Sequence, residues 1–372
     1  MHIVFLHPVF TVVTLILIGY NFLEVYNYKN YKSLWIVCGV MILLIGLRSW
    51  IGADYGEYVK MYNYFGLNYL FSDIFKGWAF KDTGLGVEWL YVLFGKIFFL
   101  FGLPFFIFTL FVSVISLVPK FYFFEKVSVY PALSILLYMY PSYFSADGGH
   151  MRQAIAMGLV MISFLFIQRR NLLMFLFILY IAVGFHKSTV IFLPAYWLAI
   201  IPMNSKKIVA VVLFSMLLSP LHIYDYFSVF NAIAPSEIYQ GFSDYSDITA
   251  DTNRIGFMDT ISMFYLYFIV TFDKAACRKI PYYEYMRNIS VVGVCLFYIF
   301  RGSPIFSTRL TAIYFIFMII TIPNILASVG NKNLQKYLHI ILILYIIFYY
   351  FVYTSFQARA GYIMGVYRNY LW

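Results

Sequence analysis

The sequence predicts an all-α, polytopic integral membrane protein, and three observations carry that prediction. Hydrophobic residues make up 63% of the 372-residue chain and charged residues only 11%. The mean hydropathy is +0.81. Apolar runs of roughly 17 to 25 residues, the length that crosses about 30 Å of hydrocarbon as a helix, recur along the whole chain. A soluble globular chain of this length does not have such a composition.

The elements follow in order. The N-terminal run MHIVFLHPVFTVVTLILIGY has no basic leader and no small-residue cleavage site, so it reads as a retained first span over 4–22. A second span lies at 33–50, after Lys29 and Lys32. Residues 86–102, GVEWLYVLFGKIFFLFG, are apolar enough to cross, yet counting them would place Lys120 and Lys126 outside and reverse every later loop. They read instead as a re-entrant or interfacial helix under the outer face, with Glu88 near its start. Further spans fall at 104–119, 129–146, 151–167, 172–185, 188–203, 207–222, 257–272, 287–300, 304–325 and 335–355. The connectors Lys29/Lys32, Lys120/Lys126, Arg169/Arg170, Lys206/Lys207, Lys274/Arg278/Lys279 and Lys332/Lys336 then face the cytoplasm. About twelve crossings put both termini outside. The chain reads as a single transmembrane domain over 1–372, with outer loops at about 51–103 and 223–256.

The formal net charge of +10 does not point to nucleic acid, because the basic residues are spread over short loops as a topology signal. Cys38, Cys277 and Cys295 have neither CxxC nor metal-ligand spacing, so no disulfide framework and no metal site is expected. No cofactor is implied either. No D-x-D occurs, which argues against a metal-bound nucleotide-sugar donor.

Function is read from the charges that topology leaves unexplained. The outer face collects Arg48, Asp54, Glu57, Asp82, Glu88, Asp147, His150, Arg152, His186, Lys187, Arg254, Arg301 and Arg309, and loop 223–256 adds acids and tyrosines. In SADGGHMRQAIAMGLVMISFLFIQRRN, Arg169 and Arg170 suit a cytoplasmic flank, whereas Asp147, His150, Arg152 and Gln153 open an apolar helix at its outer end. Arg309 stands five residues after Pro304, roughly 7 Å into its helix at about 1.5 Å per residue. A charge at that depth is paired or functional. Arginine's planar fork of donors fits phosphate and carboxylate oxygens and keeps its charge when partly desolvated. Convergent arginines beside aromatics that can stack on sugars suggest a lipid-linked pyrophosphate and its glycan, and neighbouring acids and histidines would supply a base.

The order of five short segments carries a resemblance. GLRSWIGADYGEYVKMYNYF, GVEWLYVLFGKIFFLFGLPFFIF, DGGHMRQAIAMGLVMISFLFIQRRN, GFHKSTVIFLPAYWL and STRLTAIYFIFMIITIPNIL follow one another over about residues 46 to 325 as in the EpsG-like family of Wzy-type polysaccharide polymerases. The matching positions are Arg48, Asp54, Glu88, Arg152, Gln153, His186 and Arg309. His150 stands where the family more often has a small or apolar residue, and Trp89 replaces a usual small one. The resemblance implies a GT-C-like glycosyltransferase of the bacterial inner membrane, working at the periplasmic face. Its substrates would be undecaprenyl-pyrophosphate-linked oligosaccharide repeats, joined into capsule, O-antigen or exopolysaccharide. Partners would be membrane lipid and the chain-length regulator and flippase of the same pathway.

On that reading His186 or Asp54 is the base, with Glu88 a third catalytic candidate. Arg48, Arg152, Gln153, Arg309, Arg254 and Arg301 are the pyrophosphate candidates. Each has a plainer alternative. Arg48 and Asp54 could pair to cap a helix end, His186 could bond a neighbouring helix, Arg152 could snorkel, and Arg309 could be a structural counter-ion. Rival functions are a polyprenyl-phosphate-sugar-dependent monosaccharide transferase, an O-antigen ligase, and a flippase. The flippase would show internal repeats and a charged central pathway.

Overall fold

Apolar stretches that find partners along their whole length become the packed helices of a computed structural model, which describes residues 5–26, 30–79, 84, 86–221, 256–356 and 361–372. Asp82, Arg254 and loop residues 223–255 lie outside the described residues. The described residues are almost wholly helical, with only two isolated β-bridges, Leu6 to Ile363 and Arg48 to Asn369. The chain divides into two compact units.

The first unit comprises Met1–Ser163, Tyr180–His186 and Asn331–Trp372. It contains α1 (Pro8–Val25), α2 (Tyr31–Gly46), α3 (Tyr55–Asn68), α4 (Phe71–Phe75), α5 (Trp89–Leu100), α6 (Phe105–Val127) and α7 (Pro131–Tyr138). Most of α8 (Met151–Gln168), the end of α9 (Leu172–Phe185) and the last helix, Lys332–Phe356, also belong to it. Pro8 opens α1, where its missing N–H costs nothing, and Asn30 caps α2 by accepting from Ser33 N at 3.3 Å. Helices α2 and α6 meet backbone to backbone: a Cβ on Gly46 would lie 2.8 Å from Leu110 Cα. Glu24 near the end of α1 accepts from Ala132 N at 2.9 Å, satisfying one of the free donors that open α7. A core of Tyr58, Tyr62, Phe65, Tyr91, Phe108 and Met151 joins α3, α5, α6 and α8.

The C-terminal residues 361–372 thread back over this unit. Ser49 N donates to Arg368 O at 3.0 Å, Tyr370 N to Leu47 O at 2.8 Å and His7 N to Tyr362 O at 3.0 Å. Tyr367 Oη donates to Leu44 O at 2.6 Å, and Asn369 Nδ2 to the same carbonyl at 3.2 Å, so the tail satisfies one of the last carbonyls of α2.

The second unit comprises Phe164–Leu179 and Lys187–Gly330. It holds α10 (Ala195–Leu198), α11 (Ser205–Leu218), α12 (Phe257–Lys279), α13 (Tyr283–Ile299), α14 (Pro304–Phe315) and α15 (Met318–Ser328); the helix Lys332–Phe356 of the first unit is α16. Asn204 caps α11 by accepting from Lys207 N at 3.0 Å. Arg287 of α13 is fully buried and donates to Asp273 at 2.7 Å, to Asn288 at 2.9 Å and to Met203 O at 3.2 Å. Asn288 in turn donates to Ala199 O and Ile201 O, both at 2.8 Å.

Among the described residues, four helices are long and apolar enough to cross a membrane, Pro8–Val25, Phe105–Val127, Met151–Gln168 and Lys332–Phe351. A fifth span would be the pair α14 and α15, bent by 42° at their junction. Twelve such crossings are therefore not seen among the described residues. The expected span 188–203 is a 3-10 turn over Lys187–Phe192 followed by the four-residue α10, because Pro194 removes a donor and its ring blocks the preceding turn. The expected span 129–146 is α7 followed by a wide π-type segment, Met139–Asp147, that contains Pro141. With 12 residues, α5 reaches only about 18 Å, short of the hydrocarbon thickness.

Lys120, expected at a cytoplasmic connector, is instead wholly buried in α6 and paired with Asp147 at 2.8 Å. Arg170 also does more than mark topology: its guanidinium lies 4.0 Å over the Tyr196 ring and donates to Tyr196 O at 2.7 Å.

Candidate functional site

Three helix ends far apart in sequence bring Glu88, Arg152 and His186 together in the first unit. Glu88 is the residue before α5, Arg152 the second residue of α8, and His186 follows the last residue of α9. The end of α9 approaches α5 closely because Gly184 has no side chain: a Cβ there would lie 2.7 Å from Leu90 Cδ1 and 3.2 Å from Trp89 Nε1.

The Glu88 side chain is 7% exposed and cannot keep its charge at that burial without donors around it. Two of its donors stand on opposite oxygens. Arg152 Nη1 donates to Oε2, and His186 Nδ1 lies 3.2 Å from Oε1. An ionised carboxylate only accepts, so Nδ1 is the protonated nitrogen in that bond, and the ring is oriented by it. Arg152 is 23% exposed and His186 17%. Tyr58 of α3 stands beside Arg152; burial pushes its phenol up, against the downward pull of the guanidinium.

Asp54, the residue before α3, is 45% exposed and its Oδ2 lies 3.8 Å from His150 Nε2. The His150 ring is anchored from the other side, where Nδ1 donates to Ser145 O at 2.9 Å. The loop between α2 and α3 turns sharply to bring Asp54 there, with φ of 54° at Trp50 and 109° at Gly52. Gly52 also packs against Gly148 O, where a side chain would collide. Glycine is required on both counts.

Arg48 does not pair with Asp54. It is fully buried and donates to Ile45 O at 2.6 Å and Ile51 O at 2.9 Å, with its guanidinium 5.4 Å over Tyr55. It holds the C-terminal end of α2 to the loop that follows. Gln153 is buried beside Arg152 in the sequence. In the second unit Arg301 makes a two-point ion pair with Asp259, Nε to Oδ1 at 2.9 Å and Nη2 to Oδ2 at 3.0 Å. The pair borders an open, mostly apolar cleft of 730 Å³ walled by Met263, Phe264, Tyr267 and Tyr298. Arg309 is half-buried on α14 in that same unit. Arg254 lies outside the described residues.

Glu88, Arg152 and His186 form one cluster, Asp54 forms a second pair, and Arg301 and Arg309 belong to the other unit. Sequence reasoning passed over His150 as a partner for Asp54, Tyr58 beside Arg152, and the burial of Asp147. Each lies within or beside a quoted motif, but no spacing rule tells which side chain faces which. Among the described residues, no three His, Cys, Asp or Glu side chains are grouped as metal ligands.

The arrangement offers three chemical abilities. A guanidinium at the edge of a buried site can match an anion. An imidazole oriented by a carboxylate can take a proton. A half-exposed carboxylate and histidine can contact a polar ligand. Residues 31–368, most of the chain, match the model of the EpsG family. The chain matches no curated protein and no solved structure.

Proposed function

The chain belongs to the EpsG family, a Wzy-like polymerase family, and from that premise we propose that it joins oligosaccharide repeat units carried on undecaprenyl pyrophosphate. The reaction takes place at the periplasmic face of the bacterial inner membrane. The shared hold of Arg152 and His186 on one buried carboxylate, Glu88, is the observation that supports this reading best.

The step is a displacement at an anomeric carbon. A hydroxyl of the acceptor repeat attacks C1 of the donor glycan, the C1–O bond to the lipid pyrophosphate breaks, and the leaving pyrophosphate takes the electron pair. Arg152 meets that leaving charge with a donor fork placed beforehand, which is the most effective way a polar group lowers such a barrier. His186, oriented through Nδ1 by Glu88, takes the hydroxyl proton, as a carboxylate-oriented imidazole does in acyl transfer. Asp54 is the rival base, because it is the more exposed of the two.

Deletion of the gene followed by analysis of surface polysaccharide tests the reading. The expected product is a single repeat unit on the carrier, with no polymer; unchanged polymer would overturn it, and a repeat lacking one sugar would point to a monosaccharide transferase. His186→Ala should abolish polymer in folded protein, whereas normal chain length in that variant would transfer the role to Asp54.

A further inference from the structure

Five residues before Arg152, Asp147 is 3% exposed and sits at the meeting point of three separate segments. Its Oδ1 accepts from Ser116 Oγ at 2.6 Å and from Lys120 Nζ at 2.8 Å, both on α6. Its Oδ2 accepts from Tyr138 Oη at the end of α7. Lys120 is wholly buried, also donates to Ser116 Oγ at 2.8 Å, and has its ammonium 5.1 Å over the Tyr138 ring.

The turn that follows, Gly148–Gly149–His150, is held on both sides of Gly149. Tyr362 Oη of the C-terminal tail donates to Gly148 O at 2.8 Å, and Gly148 N donates to Tyr143 O at 3.0 Å. His150 N donates to Ser145 O at 3.1 Å. Helix α8 itself runs close to α6, for a Cβ on Gly158 would lie 2.9 Å from Ser116 O and 3.7 Å from Lys120 Cε.

A buried ion pair contributes little net stability compared with apolar residues filling the same volume, because both charges lose their hydration. Its consequence is directional. A carboxylate with three donors has one orientation that satisfies them, whereas an apolar contact tolerates sliding. We propose that Asp147 is a positioning residue: its tripod of bonds to Ser116, Lys120 and Tyr138 fixes the start of α8, and thereby sets Arg152 on Glu88 and His150 against Asp54. The inference rests on the polymerase reading above for its consequence to turnover, but its geometric part does not.

Two variants and two measurements test it. Tyr138→Phe removes one leg of the tripod and leaves the ion pair. The double variant Lys120→Met with Asp147→Asn removes both charges together, so that no lone charge stays buried. In proteoliposomes supplied with lipid-linked repeats, each folded variant should lose turnover by about 10- to 100-fold with KM nearly unchanged, the loss expected when a reacting group is displaced by a fraction of an ångström to an ångström. Independently of turnover, Asp54→Cys with His150→Cys should be bridged by a short bifunctional maleimide, detected by mass spectrometry of the joined peptides. Adding either variant should slow that cross-link. Wild-type turnover and wild-type cross-linking in Tyr138→Phe would overturn the proposal, even if the double variant failed to fold. If the wild-type protein made no polymer, the functional reading would fall while the cross-linking comparison still decided the positioning role.

Discussion

Arg287 and Arg152 are both arginines bonded to a buried carboxylate, one in each unit, yet their surroundings differ in kind. Arg287 is wholly enclosed; Asp273, Asn288, Cys277 and Met203 O together take all three of its nitrogens. Arg152 shares Glu88 with His186, keeps a 23% exposed side chain, and has an Nε with no hydrogen-bond partner among the described residues. A guanidinium whose donors are all consumed can only hold its own fold together. One that shares its carboxylate with an imidazole and keeps part of its side chain exposed can take a further anion there. Burial alone would rank Arg287 first, whereas the partners around each guanidinium distinguish the two.

Substituting Arg287 gives the largest effect. Arg287→Ala leaves Asp273 buried without its charge partner, and loss of one member of such a pair costs about 3–5 kcal/mol. Thermal unfolding in detergent should show the loss, with activity falling only in proportion to the folded protein. A stable Arg287→Ala protein with selectively lost activity would collapse the distinction.

Arg152→Lys comes next. The charge stays but the fork is lost, so polymer formation should fall by about 10²–10³-fold, the usual cost of removing a donor aimed at developing charge. The unfolding midpoint should stay close to wild type. Equal losses of stability and activity would make Arg152 a second Arg287.

A smaller effect is expected at Tyr58, whose phenol stands beside Arg152. Tyr58→Phe should cost about 1 kcal/mol in turnover, the value of one hydrogen bond. Because burial raises this phenol above its ordinary value of 10.0, it remains protonated in the folded protein at pH values where the unfolded chain has released the proton. Stability from this group is therefore constant below about pH 10 and declines as pH rises beyond it. In Tyr58→Phe, that part of the alkaline decline in unfolding midpoint should disappear.

Arg169→Lys should be nearly silent, within about 0.5 kcal/mol by either measure. It is exposed, and a charge flanking an apolar helix needs no particular shape. A strong loss of polymer here would show that the assay reads topology rather than site chemistry.

Part of this was legible in the chain alone. Composition alone gave a helical membrane protein, and the motif residues Glu88, Arg152 and His186 were singled out before their meeting could be seen. Their convergence was not legible, because it depends on Gly184 letting α9 reach α5, and hydropathy carries no record of which helices touch. Twelve crossings were expected because a sliding average passes smoothly over Pro141 and Pro194, where the backbone does not. Lys120 looked like a loop charge at the end of an apolar run, and only the fold brings Asp147 to it from 27 residues away. Residues 361–372 have neither helical nor strand periodicity, and their partners lie at the opposite end of the sequence.

That tail has a consequence for biosynthesis. Leu47 and Ser49, whose loop leads to Asp54, bond to Tyr370 and Arg368, residues that a ribosome adds more than 300 positions later. Chains emerge at about 5–20 residues per second, so the loop waits on the order of tens of seconds in the bilayer before its last hydrogen bonds can form. Until then the Leu44 carbonyl near the end of α2 lacks the Tyr367 hydroxyl, and the turn at Gly148 lacks the Tyr362 hydroxyl. A nascent chain is therefore without these bonds until residues 361–372 have been added.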